Sequence, residues 1–218
     1  MRDMLVIIKT TTERKEAFKA LQAQIFKQAP SVDCLFISDG QINGIQIQGK
    51  TKYWRLWSEI FAYIKYNPAQ HIIQLDDDLQ LAPNFFDRLK SLTFQHPDTV
   101  INLLTDERCF RANWSHLYPI QYNDYWVNYW VDCIHYMPFS VVERLQFKMY
   151  GIAADRWAQN KNMSSGVGKQ ITQRLNSMGI PIIAPKRSLT YHGAHESVMN
   201  TDERINTPLD NSKYCDFV

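Results

Sequence analysis

His71-Ile72-Ile73-Gln74-Leu75-Asp76-Asp77-Asp78 is the stretch on which the reading of this chain turns. Its first five residues form a short apolar run of strand character that leads directly into three aspartates. Three adjacent carboxylates repel one another, and a bound divalent cation would offset that cost. Oxygen ligands alone suit a hard ion, Mn²⁺ or Mg²⁺, which keeps part of its water shell and bridges carboxylate to phosphate. Side chains alternate along extended backbone, so Asp76 and Asp78 are expected on the same side. The competing reading is a solvated acidic turn ahead of a helix, where the helix dipole favours aspartate.

The surroundings weigh on that choice. Upstream, Leu5–Ile8 reads as a buried strand, and Glu13–Lys27 carries Ala17, Phe18, Leu21 and Ile25 at helical spacing after a threonine N-cap. Cys34–Ile37 is a second strand stopped by Ser38-Asp39-Gly40, and Tyr53–Tyr66 is a second helix ended by Asn67-Pro68. Downstream, Pro83 at a first helical position opens a third helix to about Phe94, and Thr99–Leu103 is a fourth strand. The order β-α-β-α-β-α-β predicts a mostly parallel sheet flanked by helices, with ligands at the carboxyl ends of its strands. Asp39 and the Asp76–Asp78 triplet both fall at such ends.

The second half is less regular. Residues 106–123 read as a long loop, Tyr125–Met137 as one strand-like aromatic stretch, and Pro138–Tyr150 and Gly166–Met178 as helices, the second stopped by Gly179. Short strands near Pro181–Ala184 and Leu189–Tyr191 precede a polar tail from about Thr201. The division expected is one α/β domain over residues 1–200, with a nucleotide-binding half to about 104, an acceptor-binding half from 105, and a tail over 201–218.

Composition bounds the class. At 218 residues and 45% hydrophobic, the chain supports one good core, and 21% charged residues give no sign of disorder. A net charge of +2 with dispersed Lys and Arg neither requires nor excludes a nucleic-acid partner. Cys34, Cys109, Cys133 and Cys215 show no CxxC spacing, which argues against a zinc site or disulfide framework. The apolar run at the N-terminus is too short for a signal peptide, and no stretch reaches the roughly 18–20 apolar residues of a membrane span. A cytoplasmic location is the expectation, the host cytoplasm if the chain is phage-encoded.

With these residues in view, Ile72–Asp78 resembles the strand-plus-DxD element of GT-A glycosyltransferases, a Rossmann-like α/β family. Further similarities follow in order. Thr10–Arg14 resembles the family's nucleotide-binding strand end, and Asp39 sits where such folds place a base-binding acid. Ser188-Leu189-Thr190-Tyr191-His192-Gly193-Ala194-His195-Glu196-Ser197 is similar to the late Ser-Leu-x-x-His segment. The resemblance implies a metal shell of Asp78 and His192 binding Mn²⁺ or Mg²⁺. It implies donor contacts from Thr10, Thr11, Arg14, Asp39, Asp76, Asp77 and Ser197; Lys50 is a further donor-binding candidate, and a UDP-sugar is the default donor. From the residues alone, His192 and His195 are two loop histidines; the resemblance selects His192.

The pattern breaks at the catalytic base. Many inverting members carry an acidic pair where this chain has Ser164-Ser165-Gly166-Val167-Gly168-Lys169-Gln170, with no carboxylate. Asp155 is taken as the candidate base by position, beside Asp132 and Glu143, and the stereochemistry stays open. Gly168-Lys169 is not a P-loop: Met163 and Gln170 occupy positions that need Gly and Ser or Thr. Either Ser165 and Gly166 help seat the acceptor at a helix N-terminus, or the glycines serve close helix packing.

For the acceptor, Trp114, Tyr118, Tyr122, Tyr125 and Trp126 form an aromatic group in or near the long loop, with Trp114 and Tyr125 as candidate contacts. Lys50, Lys52 and Arg55 interleave with Tyr53, Trp54 and Trp57, a pattern that suits nucleic acid or a sugar chain. The chain resembles compact phage glycosyltransferases, which implies a hydroxymethylated pyrimidine in DNA as acceptor, with a lipopolysaccharide or other surface glycan as alternative. Two other classes compete: a metal-dependent nuclease or phosphotransferase, and a non-catalytic nucleotide-sugar-binding module.

Overall fold

The computed structural model describes residues 1–10, 14–38, 49–106, 119–131, 134–148, 167–193 and 211–218, with backbone alone at 38, 49–55, 167 and 169. Strand β1 (Arg2–Thr10) has the run of buried residues expected of a strand covered on both faces. It pairs in parallel with β2 (Asp33–Ser38) on one side and β3 (Ala69–Asp76) on the other, with Ile7 opposite both Leu35 and Gln74. The crossover helices α1 (Lys15–Gln28) and α2 (Gly49–Tyr66) cover opposite faces. Leu21 and Ile25 of α1 pack with Val6, Ile8, Ile73 and Leu75, whereas Trp57, Ile60, Phe61 and Ile64 of α2 pack with Leu5, Ile7 and Ile72. Alternating side-chain direction along β1 and β3 thus sorts two apolar cores, one on each face.

Beyond β3 come β4 (Leu79–Leu81), α3 (Phe85–Gln95), β5 (Val100–Asn102), β6 (Ile120–Gln121), β7 (Tyr125–Val127) and β8 (His135–Pro138). Then follow α4 (Phe139–Arg144), α5 (Val167–Ser177), β9 (Ile182–Pro185) and β10 (Thr190–His192). Eight strands form one sheet in the order β2-β1-β3-β8-β5-β9-β7-β6. Following the pairings from β1, only β8 and β7 run against it, so six of the eight strands share one direction. The α/β class, with a mixed, mostly parallel central sheet flanked by helices, is as the sequence predicts. A separate antiparallel pair, β4 with β10, lies beyond the end of β3.

Several local expectations are corrected. Helix α1 has Arg14 at its N-cap and no side-chain cap, so the threonine is not the cap. Helix α3 begins at Phe85 behind a left-handed Asn84 (φ 56°), not at Pro83. The stretch read as one strand is two, β7 and β8, because Asn128 (φ 60°) turns the chain out of extended form. Helix α4 ends after six residues, where Gln146 and Phe147 adopt positive φ. Gly179 (φ 65°) stops α5 in the manner expected. Within the span expected as a tail, residues 211–218 dock on the core. Asn211 is fully buried, the Tyr214 carbonyl accepts from Ser188 N, and Asp216 meets Arg88. No described helix is long and apolar enough to cross a membrane.

Candidate functional site

The register of β1 on β3 sets the site. Lys9 lies opposite Asp76, and its Nζ reaches Asp76 Oδ1 at 3.0 Å while only 4% exposed. The same ammonium sits 4.8 Å from the ring centre of Trp57, which stacks on His135 with ring centroids 5.6 Å apart. A buried lysine is tolerable only with such compensation: a carboxylate on one side and an aromatic face on the other.

Strand β3 stops at Asp76, and Asp77-Asp78 form the turn into β4. The alternation of extended backbone therefore ends at Asp76, and His192, which faces Asp78, also feels the charge of Asp76. Arg14, at the start of α1, holds Asp77 Oδ1 at 3.1 Å and Asp78 Oδ2 at 2.5 Å. Thr10 Oγ1 donates to the second oxygen of Asp77 at 2.7 Å. Both oxygens of Asp77 are therefore engaged by protein donors, and the residue is 2% exposed.

Pairing of β4 with β10 sets His192 opposite Leu79, the residue after Asp78. His192 Nε2 lies 3.4 Å from Asp78 Oδ2, while Nδ1 is 2.8 Å from the Gly193 carbonyl oxygen. The carbonyl accepts the Nδ1 proton, which leaves Nε2 as the lone-pair nitrogen of a neutral ring. Burial alone would raise the Asp78 pKa; the hydrogen bond and charge of His192, then Arg14, reverse this and bring it to about 2. Burial likewise pulls the His192 pKa down, but Asp78, the Gly193 carbonyl and Asp76 together raise it. Lys9 thus faces Asp76, Arg14 faces Asp77 and Asp78, and His192 faces Asp78.

One atom is left over. Asp78 Oδ1 is buried and has no hydrogen-bond partner. Asp78 Oδ1 and His192 Nε2 are one oxygen and one nitrogen donor, compatible with an ion whose remaining positions are filled by phosphate and water. Among the described residues no three His, Cys, Asp or Glu side chains converge as a ready-made metal cage.

Six of the residues singled out from sequence come together here: Thr10, Arg14, Asp76, Asp77, Asp78 and His192. Lys50 lies in α2, with only its backbone described. Tyr125 lies in β7, four strands along the sheet from β3. Thr11, Asp39, Trp114, Asp155, Ser165, Gly166 and Ser197 fall outside the described residues, as does Asp132. Glu143 is placed away from the site. Pro138, just before α4, pairs with His71 near the start of β3, at the sheet edge opposite the aspartates. Close packing accounts for Gly168: a methyl there would overlap the Val131 carbonyl oxygen and come within 2.9 Å of the Trp130 ring.

Sequence reasoning missed Lys9 and Asn211. The only available signal for Lys9 was a cation inside an apolar strand beside the acidic one. Asn211 gave none. Its Oδ1 accepts from His192 N at 2.9 Å, and its Nδ2 reaches the Thr190 carbonyl at 2.9 Å and Ser188 Oγ at 3.1 Å. It fixes the backbone from which His192 projects.

Fold and geometry together define a class: an α/β protein with a cluster of charged side chains at the carboxyl ends of its parallel strands. No protein-family profile and no curated protein sequence matches the chain. Among solved structures it is similar to the crystal structure of A197 from STIV, at 12% identity and a TM-score of 0.42, with 89% of this chain and 87% of that one covered. A likeness that distant says nothing of chemistry.

Proposed function

We propose that the protein is a glycosyltransferase that uses Mn²⁺ or Mg²⁺ to move a sugar from a nucleotide-sugar donor, by default a UDP-sugar, to a hydroxyl acceptor. The observation that carries this reading is Asp78 Oδ1, buried and unpartnered beside His192 at the carboxyl end of β3. Asp78 and His192 would hold the ion, which as a Lewis acid would neutralise charge on the departing nucleoside diphosphate. His192 and then Arg14 keep Asp78 ionised, and the Arg14 side chain, 21% exposed, would meet a phosphate oxygen. Lys9, sealed against Trp57, holds Asp76 in place from below. The acceptor is either a hydroxymethylated base in DNA, as the resemblance to compact phage glycosyltransferases implies, or a glycan.

The reading is tested by calorimetric titration of UDP, GDP, CDP and ADP, with Mn²⁺ and then with EDTA. One nucleotide is expected to bind with Mn²⁺ and fail with EDTA. Asp78→Ala should abolish that binding in a protein that stays folded, and His192→Ala should weaken it less. No nucleotide binding under either condition, or unchanged affinity in Asp78→Ala, would overturn the assignment in favour of a nuclease or a binding module.

A further inference from the structure

The β6–β7 hairpin carries a second feature, away from the acidic turn. A cleft of about 510 Å³ is lined by Gln121, Tyr122, Asn123, Asp124, Tyr125 and Lys186. Its floor is a pair of tyrosines, Tyr122 and Tyr125, stacked with ring centroids 5.2 Å apart and planes 11° from parallel. The platform is built before any ligand arrives. Tyr122 N donates to the Tyr125 carbonyl at 2.8 Å, and Lys186 N donates to the Asp124 carbonyl at 2.9 Å, which fastens the turn on both sides. Behind it the His96 ring meets Tyr125 edge-on at 4.7 Å. Tyr122 itself is 49% exposed, which leaves part of its ring open to a ligand.

The chemistry of the rim selects the ligand. A sugar ring offers apolar C–H faces, which match the electron-rich face of a tyrosine, and hydroxyl edges, which need short-range donors and acceptors. Gln121 and Asn123 supply both, Asp124 accepts and Lys186 donates. A nucleic acid would want a run of Lys and Arg along its phosphates. Here one lysine is cancelled by one aspartate, and the carboxylate would repel a phosphate.

Position adds the rest. Tyr125 pairs with Pro185, the last residue of β9, which runs in the same direction as β3. The cleft therefore lies at the same edge of the sheet as the aspartates, four strand spacings away, or about 19 Å. We infer that this cleft is a distal acceptor subsite that binds a neutral oligosaccharide, several rings removed from the reacting hydroxyl. The acceptor part of the statement rests on the transferase reading; the saccharide site itself does not.

The test uses the whole chain in EDTA, without nucleotide, so that failure of the donor site leaves it unaffected. Maltohexaose, cellohexaose, chitohexaose and xylohexaose are offered in turn, with saturation-transfer NMR and calorimetry as readouts, beside a single-stranded and a duplex DNA oligonucleotide. At least one oligosaccharide is expected to bind. Tyr122→Ala should weaken it about tenfold, the loss of roughly one aromatic contact. Tyr122→Trp should retain binding, and Asp78→Ala should leave it unchanged. Tyr122 is half exposed, so the alanine variant should fold, and equal melting temperatures would verify it. Failure of every oligosaccharide to bind, binding indifferent to Tyr122→Ala, or DNA binding lost in Lys186→Ala would each overturn the inference. Loss of nucleotide binding with saccharide binding intact would refute only the transferase reading.

Discussion

Replacing Arg14 by methionine removes a cation that contacts both Asp77 and Asp78 while keeping a side chain of similar reach. The two carboxylates have side chains 3% and 9% exposed, so water cannot take over. The depression of the Asp78 pKa from 3.8 to about 2 corresponds to about 2 kcal/mol of net stabilisation by His192 and Arg14 together. His192 has the larger part of that, but Arg14 also serves Asp77. A loss of about 2–3 kcal/mol is therefore expected, below the 3–5 typical of a broken buried pair because Thr10 and His192 remain. In a chain of this length each kcal/mol is worth about 2–4 °C, so thermal denaturation near pH 7 should show a fall of roughly 5–10 °C. The pH dependence has a definite sign. A depressed carboxylate pKa contributes stability that is complete above about 4 and fades as pH falls through about 2. The gap between wild type and variant should therefore narrow near pH 3. Added Mn²⁺ should raise the variant's melting temperature more than the wild type's, since the ion replaces a missing charge. A change below about 1 °C near pH 7, or an equal loss at both pH values, would refute the electrostatic account.

Other expectations follow from single contacts. Asn211→Ala strips partners from His192 N, the Thr190 carbonyl and Ser188 Oγ, and should cost about 2–4 kcal/mol in urea denaturation. Asn211→Asp should not restore it, because a carboxylate cannot donate. Gly168→Ala should cost about 1–3 kcal/mol by overpacking against Val131 and Trp130, read in the same assay. Burial, then the charge of Asp33, push the Cys34 thiol up to about 11. Near pH 8 only about one Cys34 in a thousand is thiolate, so alkylation followed by mass spectrometry should rise about tenfold per pH unit.

What was legible in the sequence had a local cause. The first three strands and two helices announce themselves because apolar period, turn residues and length all agree over Leu5–Leu75. The acidic turn is legible because charge at the end of a buried strand is costly and therefore purposeful. His192 needed the family resemblance, since nothing around it in sequence says that β10 will pair with β4. Strand direction was illegible: His135–Pro138 is buried throughout, and its apolar composition is the same whichever way it runs. Lys9 and Asn211 look like surface residues until their partners, 67 and 19 positions away, come into place.

Strand β8 has a consequence for how the molecule is assembled. It lies between β3 and β5, although both of those belong to the first 104 residues. A fragment cut at that point would carry the acidic turn but leave the β8-facing edge of β3 with unpaired amides and carbonyls. An apolar strand so exposed is a template for pairing with other chains. The two halves thus share one sheet, and the first would remain open-edged during synthesis until His135–Pro138 could pair with it. During that interval Asp76, Asp77 and Asp78 would act as gatekeepers, their mutual repulsion discouraging a second β3 from stacking against the first.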